Sequence, residues 1–155
     1  MSMVDDPKEC SSIFPEYNDS WFLSEHWSRH FGFELGGILR EAIINGRNTG
    51  NHVIPYDIPL HDISVDLTMG AIKYLPREAH FTSSNETDIT NYLALMSDLV
   101  FIKPPSPFAK EKEYRFSYTI MSGNRVIEPL VKSIILDSTS LIPFTMQVKF
   151  SKNKD

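Results

Sequence analysis

Cysteine is nearly absent from the sequence, with Cys10 as the only one among 155 residues. A lone cysteine cannot close an internal disulfide, and no second thiol stands at metal-ligand spacing from it. Small secreted domains commonly depend on disulfides, whereas proteins of a reducing compartment do not. The sequence therefore predicts a cytoplasmic protein.

Long apolar runs are missing as well. A membrane-spanning helix needs about eighteen or more consecutive apolar residues, and the sequence contains no such stretch. The first ten residues include Asp5, Asp6 and Glu9, where a signal peptide would need a basic start followed by apolar residues. We expect no association with a membrane and no export.

Basic runs and motifs for cofactor chemistry are also absent. Lys and Arg number 15 against 20 Asp and Glu, a formal net charge of −5, which argues against binding to nucleic-acid phosphates. The Gly36-Gly37 pair lacks the Lys and Ser or Thr of a phosphate-binding loop, so we expect no cofactor. His26 and His30 have helical spacing, but Trp27 occupies the position of a metalloprotease glutamate, so we expect no metal.

The strongest pattern that is present lies in residues 113–121. Aromatic and aliphatic side chains alternate there with polar ones, which predicts a strand with two unlike faces. Ser122, Gly123 and Asn124 then supply turn chemistry before Val126 and Ile127. The sequence predicts a β-hairpin at this point.

The remaining pattern predicts short strands and about two helices. Residues 21–30 read as a helix capped by Asp19 or Ser20, with Trp27 on its buried face. A second helix should begin at Thr87 or Asp88 and reach Leu99. Between these two helices we expect a strand at 33–35, a turn at Gly36-Gly37, helical turns at 38–44, a loop at 45–51, and strands at 52–54 and 63–75, the latter with a bulge at Gly70. After the second helix we expect an extended connector through Pro104, Pro105 and Pro107, a buried strand at 131–136 and a final strand at 144–150.

These elements predict an α+β fold, in which a mainly antiparallel or mixed sheet carries the two helices. A chain of this length needs only one core, so we expect a single domain over residues 1–155, frayed at 1–12 and 151–155.

Five charged residues are candidates for a functional site. Glu113 and Arg115 lie two apart on the predicted strand, so they share a face and can orient each other or a ligand. Glu111 and Glu113 are the candidate catalytic carboxylates. The candidate ligand-binding residues are Arg115, Lys103 and Arg47, the last at the tip of the predicted 45–51 loop.

This charged stretch resembles the end of an uncharacterised bacterial family, a domain of unknown function with a Lys…Glu-x-Glu-aromatic-Arg motif. The resemblance rests on Lys103, the prolines after it, Phe108, Glu111, Glu113, Tyr114 and Arg115. An upstream part, Ser11-Ser12 and residues 27–32, is similar too. Residues 10–142 then correspond to the later part of that family, which has no established function.

Glu111 and Glu113 also resemble the Glu-x-Glu of ADP-ribosyltransferases, in which a strand carboxylate orients the ribose of NAD. Residues 138–140 resemble the Ser-Thr-Ser of that family, but they follow the carboxylates here and precede them there. Only Glu113 is carried over as the catalytic carboxylate, with Glu111 beside it.

Two functions follow from the sequence. The first is a binding or accessory module without catalysis, whose partner is a small molecule or a protein and whose exposed strand edge offers a homodimer contact. The alternative is an NAD-dependent transferase that uses Glu113.

Overall fold

The computed structural model describes residues 1–16, 19–75, 90 and 99–149. Its contacts divide the chain into two compact units, Met1–Tyr17 with Met69–Arg115, and Asn18–Thr68 with Phe116–Asp155, and each is described by itself below. The α+β class that the sequence predicts is confirmed. The elements are α1 (Glu9–Ile13), β1 (Asp19–Leu23), α2 (Glu25–Thr49), β2 (Ile63–Ala71), β3 (Lys73–Tyr74), β4 (Ile102–Lys103), β5 (Tyr114–Ser122), β6 (Arg125–Val126) and β7 (Thr145–Lys149).

Among the residues that the structure describes, the strands form three small sheets, ordered β1-β7, β2-β5-β6 and β3-β4. The first is antiparallel and joins Asp19 to Lys149 at one end, while β3 and β4 run parallel. Short 3₁₀ segments connect these elements in the described part of the chain, at Leu60–Asp62, Leu99–Phe101, Ala109–Glu111 and Thr139–Phe144.

The β5-β6 hairpin that the alternation predicts is confirmed. Met121 pairs with Val126 and Ser122 pairs with Arg125, which leaves Gly123 and Asn124 as a two-residue loop. Gly123 has a φ of 55°, a left-handed conformation that residues with a Cβ rarely adopt, so glycine suits the turn.

The main error of the sequence interpretation concerns α2, which runs unbroken from Glu25 to Thr49. The expected strand at 33–35, turn at Gly36-Gly37 and loop at 45–51 are wrong, because all of these residues up to Thr49 are helical. The glycines are explained by packing: a Cβ on Gly32 would lie 2.7 Å from Leu67 and 3.0 Å from Phe116. One turn later, a Cβ on Gly36 would lie 3.3 Å from Tyr118. The helix therefore uses glycines to approach the strands closely.

The start of α2 was also misplaced. Residues 19–23 are extended because β1 pairs with β7, and Ser24 rather than Asp19 or Ser20 precedes the helix. Trp27 is 44% exposed, so its predicted burial is wrong. Its ring meets His26, His30 and Phe144 at centroid distances of 5.2, 5.4 and 6.0 Å.

The apolar core of the second unit gathers around Ile43 of α2 and Ile54, each 1% exposed. Residues 52–54 do not form the predicted strand, although Val53 and Ile54 are buried. The other core members are Ile58, Ile63, Ile120 and Ile127, with Leu39 and Val65 packed against them.

The strand predicted at 63–75 is present in two parts. Side chains of β2 alternate between buried and exposed as expected, from Ile63 inward and Ser64 outward. The break between the two strands falls at Ile72 and not at Gly70. The N–H of Ile72 donates to the carbonyl of Glu113 at 2.8 Å.

Three further expectations have mixed outcomes. The prolines do not give an extended connector, because Pro105–Phe108 forms a helical turn interrupted at Ser106. The final strand is confirmed as β7 from Thr145 to Lys149, whereas Phe144 belongs to the 3₁₀ segment before it and Phe150 lies outside the described residues. The frayed tail predicted at 151–155 lies outside the described residues too. So does the helix predicted from Thr87 or Asp88 to Leu99, except for Thr90 and Leu99.

The first residues are held by backbone hydrogen bonds. The N–H of Met3 donates to the carbonyl of Lys112 at 2.8 Å, and the N–H of Tyr114 donates to that of Met1 at 2.6 Å. Among the described helices, none has a stretch long and apolar enough to cross a membrane.

Candidate functional site

The first unit brings four of the predicted site residues together. Lys103 ends β4, and Glu111 ends the 3₁₀ segment Ala109–Glu111. Glu113 directly precedes β5, and Arg115 is the second residue of β5. Between the two glutamates, Lys112 has a φ of 44° and turns the chain. We call Lys103, Glu111, Glu113 and Arg115 the charged cluster.

Glu113 is the centre of the charged cluster. Its Oε1 accepts from Arg115 Nε at 2.5 Å, and its Oε2 accepts from Arg115 Nη2 at 3.2 Å and lies 2.7 Å from Lys103 Nζ. Lys103 Nζ also donates to Glu111 Oε2 at 2.9 Å. Both oxygens of Glu113 are thus held by cations, and Arg115 and Glu113 orient each other as their spacing predicts.

These contacts fix the protonation states. The hydrogen bond from Arg115, and then that from Lys103, lower the pKa of Glu113 from 4.5 to about 2. The hydrogen bond to Glu113, and then that to Glu111, raise the pKa of Lys103. Glu113 is therefore an ionised carboxylate at neutral pH and has no proton to donate as a general acid.

The cluster is tied to the backbone around it. Arg115 Nη1 donates to the carbonyl of Val100 at 2.6 Å, and the N–H of Glu113 donates to the hydroxyl of Tyr74 at 2.8 Å. Lys103 Nζ lies 4.5 Å from the ring centroid of Phe108, a cation–π contact. The arrangement fastens β3, β4 and the start of β5 to one another.

We expect Glu113→Gln to lower the free energy of unfolding by about 1–3 kcal/mol at pH 7, because Lys103 and Arg115 would lose a charged acceptor. The folded pKa of about 2 lies below the ordinary 4.5, so this contribution is complete above pH 4.5 and fades as the pH falls towards 2. Urea denaturation of both proteins between pH 7 and pH 2.5 tests this. Glu111→Gln, which removes only the Lys103 contact, is the matched control with a smaller effect. A constant difference across this pH range would contradict the role of the ionised carboxylate.

Arg47 belongs to the second unit, where it lies in the last turn of α2. Its Nη1 donates to the carbonyl of Tyr56 at 2.6 Å, and its Nη2 donates to those of Pro55 and Ile58 at 2.7 and 3.2 Å. The guanidinium also lies 4.9 Å from the ring centroid of Tyr56. Arg47 thus holds the segment after α2, and its role towards a ligand stays a prediction.

The sequence interpretation missed an exposed surface in the second unit. Residues 131–136, which we call the edge segment, were expected to be a buried strand, and this is wrong. Ile135 is 99% exposed, Val131 is 40% exposed and Ile134 is 37% exposed. The segment has no regular secondary structure and makes no backbone hydrogen bond to any other residue that the structure describes.

A groove of about 530 Å³ adjoins the edge segment. We call it the acidic groove, because Glu41 and Asp137 are the only charged residues among the described ones that line it. One wall is α2 and the other begins at Ile135; the lining residues are Ile38, Glu41, Ala42, Asn45, Ile135, Leu136, Asp137, Thr139 and Ser140. The side-chain and backbone hydrogen bonds of Thr139, to Asp137 Oδ1 at 2.6 and 3.0 Å, lower the pKa of Asp137.

The structure thus brings Lys103, Glu111, Glu113 and Arg115 together and places Arg47 among backbone carbonyls of the other unit. His26 and His30 contact Trp27, and within the described ranges no group of three or more His, Cys, Asp or Glu is placed to hold a metal ion. Comparison of the chain with protein-family models, with curated proteins and with solved structures finds no match.

Proposed function

We propose that the protein is a binding module that accepts an extended peptide segment, aliphatic and positively charged, along the edge segment and the acidic groove. The observation that carries this proposal is the edge segment itself. It combines an isoleucine that is 99% exposed with backbone groups that have no partner among the described residues. Both features are what strand addition uses.

The backbone of the edge segment supports pairing with a strand. Its sequence, VKSIIL, is rich in β-branched residues, which favour strands. Unpaired N–H and C=O groups in such a segment form a template for another chain, and natural proteins otherwise protect them with charges, prolines or bulges. Only Lys132 is charged here, and no proline interrupts the six residues.

The acidic groove defines the charge of the partner. Glu41 and Asp137 lie at its surface, and no Lys or Arg is among its described lining residues. A lysine or arginine on the incoming peptide would meet this negative field, whereas an acidic peptide would be repelled. Ile38, Ala42 and Ile135 supply the apolar contacts for an aliphatic side chain.

We favour binding over NAD-dependent transfer because of the state of Glu113. Both of its oxygens already accept from Lys103 or Arg115, so the negative charge that would orient a ribose hydroxyl is already balanced by two cations. NAD-dependent transfer by Glu113 stays a prediction, and an NAD-induced rise in the melting temperature that is lost in Glu113→Gln would support it. The bacterial family of unknown function likewise stays a proposal of relationship.

A synthetic decapeptide that alternates isoleucine and threonine and carries one lysine tests the proposed function. We expect it to slow amide hydrogen exchange in residues 131–136 by about tenfold at saturation, because the N–H groups there gain acceptors. Two matched peptides are the controls: one with glutamate in place of the lysine, to test the charge, and one with a central proline, to test the backbone pairing. Equal protection by all three peptides, or by none, would refute the proposal.

A further inference from the structure

We infer that the partner of the edge segment is the edge segment of a second copy of this chain. This inference rests on the proposed function and names its partner. The segment itself has the chemistry that the surface selects, since VKSIIL has no regular secondary structure, is rich in aliphatic residues and is positively charged through Lys132. One surface would therefore supply both sides of the contact, as in an isologous dimer.

Symmetry restricts the register of such a pairing. In an antiparallel pair, residues directly opposite each other share a face, so a two-fold axis normal to the strands must set one residue against its own copy. If the axis passes at Ser133, Lys132 lies opposite Ile134, and if it passes at Ile134, Lys132 lies opposite Leu136. Either register sets a charged side chain against an aliphatic one. Centring on Ile135 avoids this conflict.

The register centred on Ile135 matches the chemistry at every position. The most exposed isoleucine of the segment, at 99%, meets its own copy at the axis. Ile134 then lies opposite Leu136, Ser133 opposite Asp137, and Lys132 opposite Ser138. The apolar pairs occupy the centre and the polar pairs lie at the ends, as in other protein interfaces.

Charge complementarity completes the match. Lys132 of each copy reaches Ser138 of the other, which is next to Asp137 and Thr139 at the acidic groove. Glu41 faces the same groove from α2. The contact therefore brings each Lys132 to the edge of the acidic groove, twice by symmetry, and no like charges lie opposite each other.

The expected dimer is weak and reversible. A pairing of one short strand with its copy is small compared with the roughly 1,200–2,000 Å² of a standard stable interface. Association should therefore depend on protein concentration in the micromolar range or above. We expect the structure of each copy outside the edge segment and the acidic groove to be the same in the dimer as in the monomer.

Sedimentation velocity across a concentration series tests the inference. We expect wild type to show a reversible monomer–dimer equilibrium, and Ile135→Asp to be monomeric throughout, because two carboxylates would meet at the axis. Lys132→Glu and Glu41→Lys should each weaken association by about tenfold or more, and the double variant should restore it. Val126→Asp, at a 64% exposed site on β6, is the control that leaves the dimer intact and tests the other candidate edge.

The outcomes separate the inference from the proposed function. A chain that stays monomeric at every concentration while the lysine decapeptide still protects residues 131–136 overturns the dimer and retains the binding module. A dimer that persists in Ile135→Asp but is lost in Val126→Asp places the contact at β6 and overturns the inference. Loss of both dimerisation and peptide protection refutes both, and unchanged melting curves of the variants show that they remain folded.

Discussion

Gly46→Ala is expected to lower the free energy of unfolding by about 2–4 kcal/mol, one of the largest effects of any single substitution in this protein. Gly46 is a buried residue in the last turn of α2. A Cβ at this position would collide with the carbonyl oxygen of Asn51 and lie 3.5 Å from Val53. The obstacle is backbone, held in place because Gly50, with a φ of 80°, ends the helix and turns the chain back.

Gly37→Ala is the matched control on the same helix. Nothing lies within 4 Å of a Cβ placed there, and Gly37 is exposed. The alanine should therefore raise the free energy of unfolding by about 0.5–1 kcal/mol through its higher helix propensity. Urea denaturation of the two variants and wild type measures both signs. Gly46→Ala as stable as Gly37→Ala would show that the chain after α2 moves aside freely.

The glycines explain why α2 was hard to predict. Glycine lowers helix propensity, so a local reading takes Gly32, Gly36-Gly37 and Gly46 as breaks. In the folded chain a Cβ would meet Leu67 and Phe116 at Gly32, Tyr118 at Gly36 and Asn51 at Gly46. This requirement comes from tertiary contacts, which local propensity does not contain. The four-residue spacing of Gly32 and Gly36 was the available signal.

The strands were predictable where one face is buried. Alternation in β2 and β5 and the turn at Gly123 are local properties of the sequence, and the structure confirms them. The same rule failed for residues 131–136, because the Val, Ile and Leu content of this segment indicates apolar surface but not what covers it. The predicted burial of Trp27 is wrong for a related reason, since a large ring can lie at the surface and still contact several neighbours.

The candidate site was predictable only in part. Glu113 and Arg115 are two residues apart on a strand, so their contact follows from strand geometry. The contacts of Lys103 with Glu111 and Glu113 join residues eight and ten positions apart and depend on the turn at Pro105–Phe108. The acidic groove joins α2 to residues about one hundred positions later, which no local pattern reveals.

Ile43→Ala is expected to lower the free energy of unfolding by about 2–5 kcal/mol. Ile43 is 1% exposed and lies in the cluster formed with Ile54, Ile63 and Ile120, so the lost methyl groups would leave a cavity. Ile135→Ala removes the same atoms from a side chain that is 99% exposed, and it should change the stability of the monomer by no more than about 0.5 kcal/mol. The two variants therefore share the chemistry of the substitution and differ mainly in the burial of the side chain.

Thermal and urea denaturation at low protein concentration, where any dimer has dissociated, separates these two effects. The same Ile135→Ala variant, concentrated, should associate more weakly than wild type, because the apolar contact at the proposed two-fold axis is reduced. If residues 131–136 form the proposed contact, Ile135 should affect association and leave the stability of the monomer unchanged. If Ile135→Ala instead destabilised the monomer as much as Ile43→Ala, residues 131–136 would be part of the core, and the proposed binding surface would be wrong.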